Sequence, residues 1–199
     1  MLQKVNVVVF DFDGTLSSGD SNYGFFKYCF MHSVRPWFYL PYVLAGFIGM
    51  GLNRKGVWWR QTIRRFMTPK MVERLADDFV KKHKKNRFGW AKEMVAKERA
   101  AGNKVLLITA SPDYLVSKLV KDMKFSEILP SRMSDKKPWK YKFLCYGENK
   151  VFTMDEWART NKYIPNVVRA YSDSKSDMPI MKIAKECVWI NPRTGLRKN

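Results

Sequence analysis

The chain has 199 residues, enough for one core domain with a modest insertion. Hydrophobic residues make up 46% of it, which excludes a disordered chain. Lys and Arg number 37 against 18 Asp and Glu, a formal net charge of +19, so its partners are expected to be anionic: a membrane surface, a nucleic acid or a phosphorylated substrate.

The first apolar run, residues 5–10 (VNVVVF), reads as a strand buried on both faces, as in a parallel sheet. It is too short for a secretory signal and leads straight into two aspartates. From about residue 16 to 90 no strand is legible. That stretch holds an aromatic helix-like segment (23–31), an apolar run (36–52) and basic amphipathic segments (58–66 and 71–85), and reads as a helical insertion. A helix follows over 91–101, stopped by Gly102 and Asn103. Residues 104–109 (KVLLIT) read as the second strand. A helix over 112–123 comes next, with Ser111 as N-cap and Pro112 at the first helical position. Residues 135–141 (DKKPWKY) read as a polar turn at a hairpin tip. A third strand (167–172), a helix (177–186) and a fourth strand (187–191) complete the chain. Strands alternating with helices predict an α/β fold around a parallel sheet. The three cysteines, Cys29, Cys145 and Cys187, lack any CxxC or Cys/His spacing. They read as small semi-buried residues in a reducing compartment, without a zinc site or disulfide framework.

Chemistry is written at three strand ends. Asp11-Phe12-Asp13-Gly14-Thr15 follows the first strand, where parallel sheets bind ligands. Two carboxylates there repel each other, and a divalent cation such as Mg²⁺, which prefers hard oxygen ligands, resolves the conflict. Gly14 lets the backbone approach a phosphate closely. The plainer alternative is an acidic turn capping a helix. The third strand ends in Ser172-Asp173-Ser174-Lys175-Ser176-Asp177. There Asp173 can complete the metal site, while Asp177 can be a ligand, a partner of a ligand or a helix N-cap. The second strand ends in Thr109-Ala110-Ser111, which offers hydroxyls and backbone N–H groups at a helix N-terminus, a natural anion site.

DFDGT, then TAS after a hydrophobic strand, then a lysine, then SDSKSD: in this order the four motifs resemble the haloacid dehalogenase-like phosphatases, in the branch related to phosphoserine phosphatase. The resemblance spans nearly the whole chain. It implies a Rossmann-like core of residues 1–16 and 91–199, with a helical cap, 17–90, inserted between the first two motifs. It implies Mg²⁺ as cofactor and a phosphomonoester as substrate. Asp11 would be the nucleophile and a metal ligand. Asp13 would be the general acid/base and a ligand through its backbone carbonyl. Thr109 would hold the phosphoryl group, with Gly14, Ala110, Ser111 and Ser176 around it. Lys150 would neutralise the nucleophile and phosphate, Asp173 would bind the metal, and Asp177 would support it. Asp20 falls where relatives carry a cap acid that reads the substrate. The residues suit that chemistry in their own right. A neutralised carboxylate can attack phosphorus, a second acid can protonate the leaving alkoxide and later activate water, and the covalent route divides one hard step into two easier ones.

Residues 36–52 (PWFYLPYVLAGFIGMGL) carry no charge. A membrane-crossing helix needs about 20 residues, and the two prolines and three glycines argue against one straight helix. A single crossing would also put Asp11 on one side of the bilayer and Thr109, Lys150 and Asp173 on the other. The run is therefore a buried cap helix or an in-plane or re-entrant membrane anchor. Residues 53–104 carry 16 Lys and Arg against 5 Asp and Glu, with Trp58, Trp59 and Trp90 among them, a pattern that favours an anionic lipid surface. LITASPDYLV, the spacing of Cys145, Gly147 and Lys150, YSDSKSDMPIM and the ending WINPRTGL are similar to bacterial phosphatidylglycerophosphatases of the C type. That resemblance implies an anionic phospholipid substrate on the cytoplasmic side of the inner membrane. Two alternatives stand beside it: a soluble phosphatase of a small metabolite such as phosphoserine, and a basic adaptor with a vestigial site. No motif residue is missing, which counts against the adaptor. No nucleic-acid partner is expected, because no base-stacking module is legible.

Overall fold

The computed structural model describes residues 2–32, 69–134 and 140–198. Its described strands are β1 (Gln3–Phe10), β2 (Lys104–Pro112), β3 (Glu127–Met133), β4 (Tyr141–Phe143), β5 (Tyr163–Ser172) and β6 (Glu186–Trp189). They form one sheet in the order β4-β3-β2-β1-β5-β6, parallel except for the β3–β4 pair. Its described helices are α1 (Ser21–Met31), α2 (Pro69–His83), α3 (Ala91–Ala100), α4 (Asp113–Leu119), α5 (Glu148–Thr160) and α6 (Met178–Lys182). The expected α/β fold is therefore the one that forms.

Successive side chains along a strand point to opposite faces, and here each face is covered. Val8 and Phe10 of β1, with Val105 and Leu107 of β2, join a core that includes Phe25, Phe79, Val95 and Leu115. Val7 and Val9, with Leu106 and Ile108, join the other, which includes Met154, Trp157 and Ile180. All eight strand residues are buried, which is why both runs are apolar without alternation. Strand order reverses at β1: β2 lies on one side and β5 on the other. The crevice at the carboxyl ends of these three strands is where such sheets bind ligands.

The chain leaves and re-enters this core at one place. Ser17 bridges to Arg87, and the Phe88 N–H donates to Leu16 O at 3.0 Å. Between these points α2 forms because its apolar residues recur at helical spacing: Met71, Val72, Leu75, Ala76, Phe79 and Val80 are all buried. Lys81, Lys82 and His83 close its last turn, where the helix dipole favours cations. Phe79 meets Phe25 of α1 edge-on at 5.3 Å, and Phe25 lies 5.9 Å from Tyr114 of α4.

Some expectations are corrected. The helix expected from Pro112 starts at Asp113, because β2 continues through Pro112, which serves as the N-cap. It ends at Leu119 rather than 123. Ser111 does not cap it; its hydroxyl turns to Asp13. The helix expected over 177–186 is a 3-10 turn, Lys175–Asp177, followed by the short α6. α5 carries no signal in the sequence, and β3 and β4 are marked there only by the hairpin turn between them. Cys29 and Cys145 are buried, with burial pushing their thiols up to about 12 and about 11, whereas Cys187 is exposed. The apolar run 36–52, the segment 58–66 with Trp58 and Trp59, and residues 135–139 of the hairpin turn lie outside the described residues. β3 and β4 do pair antiparallel on either side of that turn. Among the described residues no helix is long and apolar enough to cross a membrane.

Candidate active site

The three strand ends open into one cleft of about 890 Å³. β1 delivers Asp11, whose N–H continues the ladder by donating to Tyr171 O at 3.0 Å. Opposite, α5 delivers Lys150. The helix buries Lys150, Thr153, Met154, Trp157 and Ala158, a stripe at i, i+3, i+4, i+7 and i+8, so the lysine points inward with the apolar residues. Its Nζ donates to Asp11 Oδ1 at 2.9 Å and to Asp177 Oδ2 at 2.7 Å. Ser172 Oγ donates to the same Asp177 oxygen at 2.7 Å. Asp177 stands at the N-cap position of α6, where its side chain makes no cap bond and instead anchors Lys150.

Asp173 lies directly on Gly14. A Cβ on that glycine would sit 2.3 Å from Asp173 Oδ2, and its φ is +75°, so both the close approach and the backbone require glycine. Thr15 Oγ1 donates to Asp173 Oδ1 at 3.3 Å. Thr109 is buried, and its Oγ1 accepts the Ser111 N–H at 3.1 Å. Asp13 accepts three hydrogen bonds: Ser21 N at 2.7 Å on Oδ1, and Ser21 Oγ at 3.0 Å and Ser111 Oγ at 2.5 Å on Oδ2. Asp20 is the N-cap of α1, accepting from Tyr23 N at 2.8 Å, and also lines the cleft. Ala110 and Ser176 line it too, the latter 2.9 Å from Ser174 through their hydroxyls. All the residues expected at the site thus border one cavity or pack against its walls.

Burial governs the electrostatics. It pushes Asp11 up to about 6, with Asp177 adding and Lys150 opposing. It pushes Asp13 up to about 7, with Asp20 adding and Ser111 and Ser21 opposing. Asp173 is raised for the same reason. Burial alone would lower Lys150, but the carboxylates of Asp11 and Asp177 outweigh it and the ammonium is held above its usual value. Buried carboxylates strained in this way are what a divalent cation relieves. Among the described residues no group of three or more Asp, Glu, His or Cys side chains is arranged to hold a metal ion by itself. The carboxylates of Asp11 and Asp173 both line the cleft and offer hard oxygens to a cation. That set suits an ion that keeps water and substrate oxygens in its shell, as Mg²⁺ does.

Asn22 and Tyr146 line the cleft and carry no sequence signal, while Tyr141, which also lines it, and Ser172, which bonds Asp177, fall within the expected turn and motif without a role of their own. Asn22 Nδ2 donates to Tyr141 Oη at 3.3 Å, joining α1 to β4 across the cleft. Ser21, which bonds Asp13, has a partial signal, since it follows an Asp that caps a helix.

The family model for haloacid dehalogenase-like hydrolases matches residues 8–182. A probable phosphatase of Mycobacterium tuberculosis is 29% identical over 114 residues, 56% of this chain and 40% of that protein, so the match spans well under half of the relative's length. A Bordetella pertussis protein of unknown function has a similar solved structure, with a TM-score of 0.78 at 16% identity, covering 97% of this chain and 93% of that one. A phosphoserine phosphatase caught as a phospho-aspartyl intermediate analogue gives 0.61 at 14% identity, covering 94% and 87%. A phosphoserine phosphohydrolase-like protein of Francisella tularensis gives 0.63 at 16%, with the same coverage. At such identities the structures speak for the fold alone. With the family model spanning most of the chain, and its four motifs gathered around one cleft, the protein belongs to the haloacid dehalogenase-like hydrolases.

Proposed function

We propose that this hydrolase is a Mg²⁺-dependent phosphomonoesterase that works through an aspartyl-phosphate on Asp11, with residues 17–90 as its cap. The observation that carries the reading is the line from Asp11 through Lys150 to Asp177, beside Asp173 and Gly14. A carboxylate becomes a usable nucleophile toward an anionic phosphate only where cations offset the repulsion. Lys150, pinned by Asp177 and Ser172, supplies one fixed positive charge. Asp11 forms the new O–P bond while the ester O–P bond breaks. Asp13 gives its proton to the departing oxygen, then takes one from the water that cleaves the aspartyl-phosphate. Thr109, with Ala110 and Ser111 beside it on the cleft wall, receives the phosphoryl oxygens. Mg²⁺, held by Asp11, Asp173 and the Asp13 carbonyl, would neutralise further charge on the phosphoryl group.

For the substrate we favour an anionic lipid phosphomonoester, phosphatidylglycerol phosphate, met at a membrane surface. The net charge of +19, the basic tract 53–104 and the uncharged run 36–52 support this choice. The solved phosphoserine phosphatases of similar fold favour the second reading, a small soluble metabolite such as phosphoserine. Phosphate release should be measured with Mg²⁺ from phosphatidylglycerol phosphate in mixed micelles and from phosphoserine in solution, with Asp11→Asn as control. Release from the lipid alone, lost in the variant, supports the lipid reading. Release from phosphoserine alone replaces it. Release from neither, extended across a broad phosphomonoester panel, overturns the phosphatase assignment.

A further inference from the structure

Ser21 is fully buried, lies in none of the four motifs, and yet engages both oxygens of Asp13. Its backbone N–H is one of the first-turn donors that a helix leaves without an internal partner, and here Asp13 Oδ1 takes it at 2.7 Å. Its hydroxyl reaches Oδ2 at 3.0 Å and stands 3.0 Å from Ser111 Oγ, which also reaches Oδ2. Two of the three donors on Asp13 therefore belong to α1, and only one belongs to the core. α1 is seated from two sides, through Phe25 against Phe79 of α2, outside the core, and against Tyr114 of α4, within it. If α1 shifts, two of the three donors shift with it.

We propose that Ser21 is a positioning residue that ties the orientation of the Asp13 carboxyl to the seating of α1, so that proton transfer to the leaving group depends on where the cap helix sits. The inference rests on Asp13 acting as general acid. A residue that merely stabilised the fold would affect all substrates alike. A residue that aims the acid matters more as the leaving group becomes more basic, because a good leaving group departs with little help.

The test compares kcat/KM, which covers the steps through departure of the leaving group, for phenyl phosphate and 4-nitrophenyl phosphate with Mg²⁺. These esters differ little in size but greatly in leaving-group basicity. Asp13→Asn should lower the phenyl ester roughly tenfold more than the nitrophenyl ester, as loss of general acid catalysis requires. Ser21→Ala should show the same split at a few-fold, with the nitrophenyl rate largely kept, which also shows that the fold and nucleophile survive. Equal loss on both esters, or no loss, in Ser21→Ala beside a clear split in Asp13→Asn overturns the positioning role and leaves the general acid standing. Absence of a split in Asp13→Asn removes the general acid itself and the proposal with it.

Discussion

Lys150 offers the most searching perturbation. Its side chain is 3% exposed and its ammonium sits 2.9 Å from Asp11 and 2.7 Å from Asp177. In Lys150→Met the apolar stem is kept and the charge removed, leaving two buried carboxylates facing each other. Removing one partner of a buried ion pair costs about 3–5 kcal/mol, a large part of the roughly 5–15 kcal/mol that holds a domain folded. Urea denaturation should show this loss at pH 7. The loss should shrink as pH falls, and the sign follows from Asp11. Burial already raises that carboxyl to about 6 in the presence of Lys150, and without the lysine it rises further. A carboxyl whose folded value lies above its unfolded one weakens the fold as pH rises through that value, and protonation on the acid side removes the penalty. The double variant Lys150→Met with Asp177→Asn should regain part of the stability, because the Asp177 charge no longer adds to the burial penalty on Asp11. Phosphatase activity should stay at least about 100-fold down in both variants, the scale on which removal of one preorganised charge-stabilising group acts. A single variant as stable as the parent at pH 7, or a double variant no better than the single, would refute the reasoning.

Three further outcomes are expected. Mg²⁺ should raise the melting temperature more at pH 7 than at pH 5, since the cation competes with protons for Asp11 and Asp173, and the shift should vanish in Asp11→Asn; thermal scans with and without Mg²⁺ check this. Asp122 is held down to about 2 by the Arg87 guanidinium, so its contribution is present above the ordinary carboxylate value and is lost as pH falls toward 2. The carboxylate is 36% exposed, so Asp122→Asn should cost no more than about 1 kcal/mol, whereas Arg87→Ala, which also loses a 2.6 Å bond to Leu119 O, should cost more in urea melts. Gly14→Ala should cut kcat about 100-fold by driving Asp173 off its seat, with a stability loss of only about 1–2 kcal/mol from the left-handed backbone; kinetics and melts on one preparation separate the two.

What the sequence made legible follows the burial of apolar groups. β1 and β2 were readable because Val7–Phe10 and 105–108 are buried on both faces, leaving no polar interruption to blur the run. Asp11, directly after β1, and Thr109, directly after the run 105–108, inherit that clarity. β3 was not readable because Pro130 and Arg132 break its pattern. Pro130 falls where the β2–β3 register shifts between Ile108 and Pro112, an irregularity of the kind at which a strand tolerates proline, and that is a three-dimensional fact. α5 was hidden for a reason closer to function. Its buried stripe opens with Lys150 and Thr153, polar residues turned inward, so the helical period looked weaker than it is. The lysine that the chemistry requires is the residue that disguised its own helix. Asp177 and Ser21 carry the point further: one secures Lys150, the other aims Asp13, and neither task can be written as a spacing along the chain. A motif marks the groups that meet the substrate. The groups that hold them in place are chosen by contacts between distant segments, and their polar side chains are buried where a hydrophobic pattern would predict solvent.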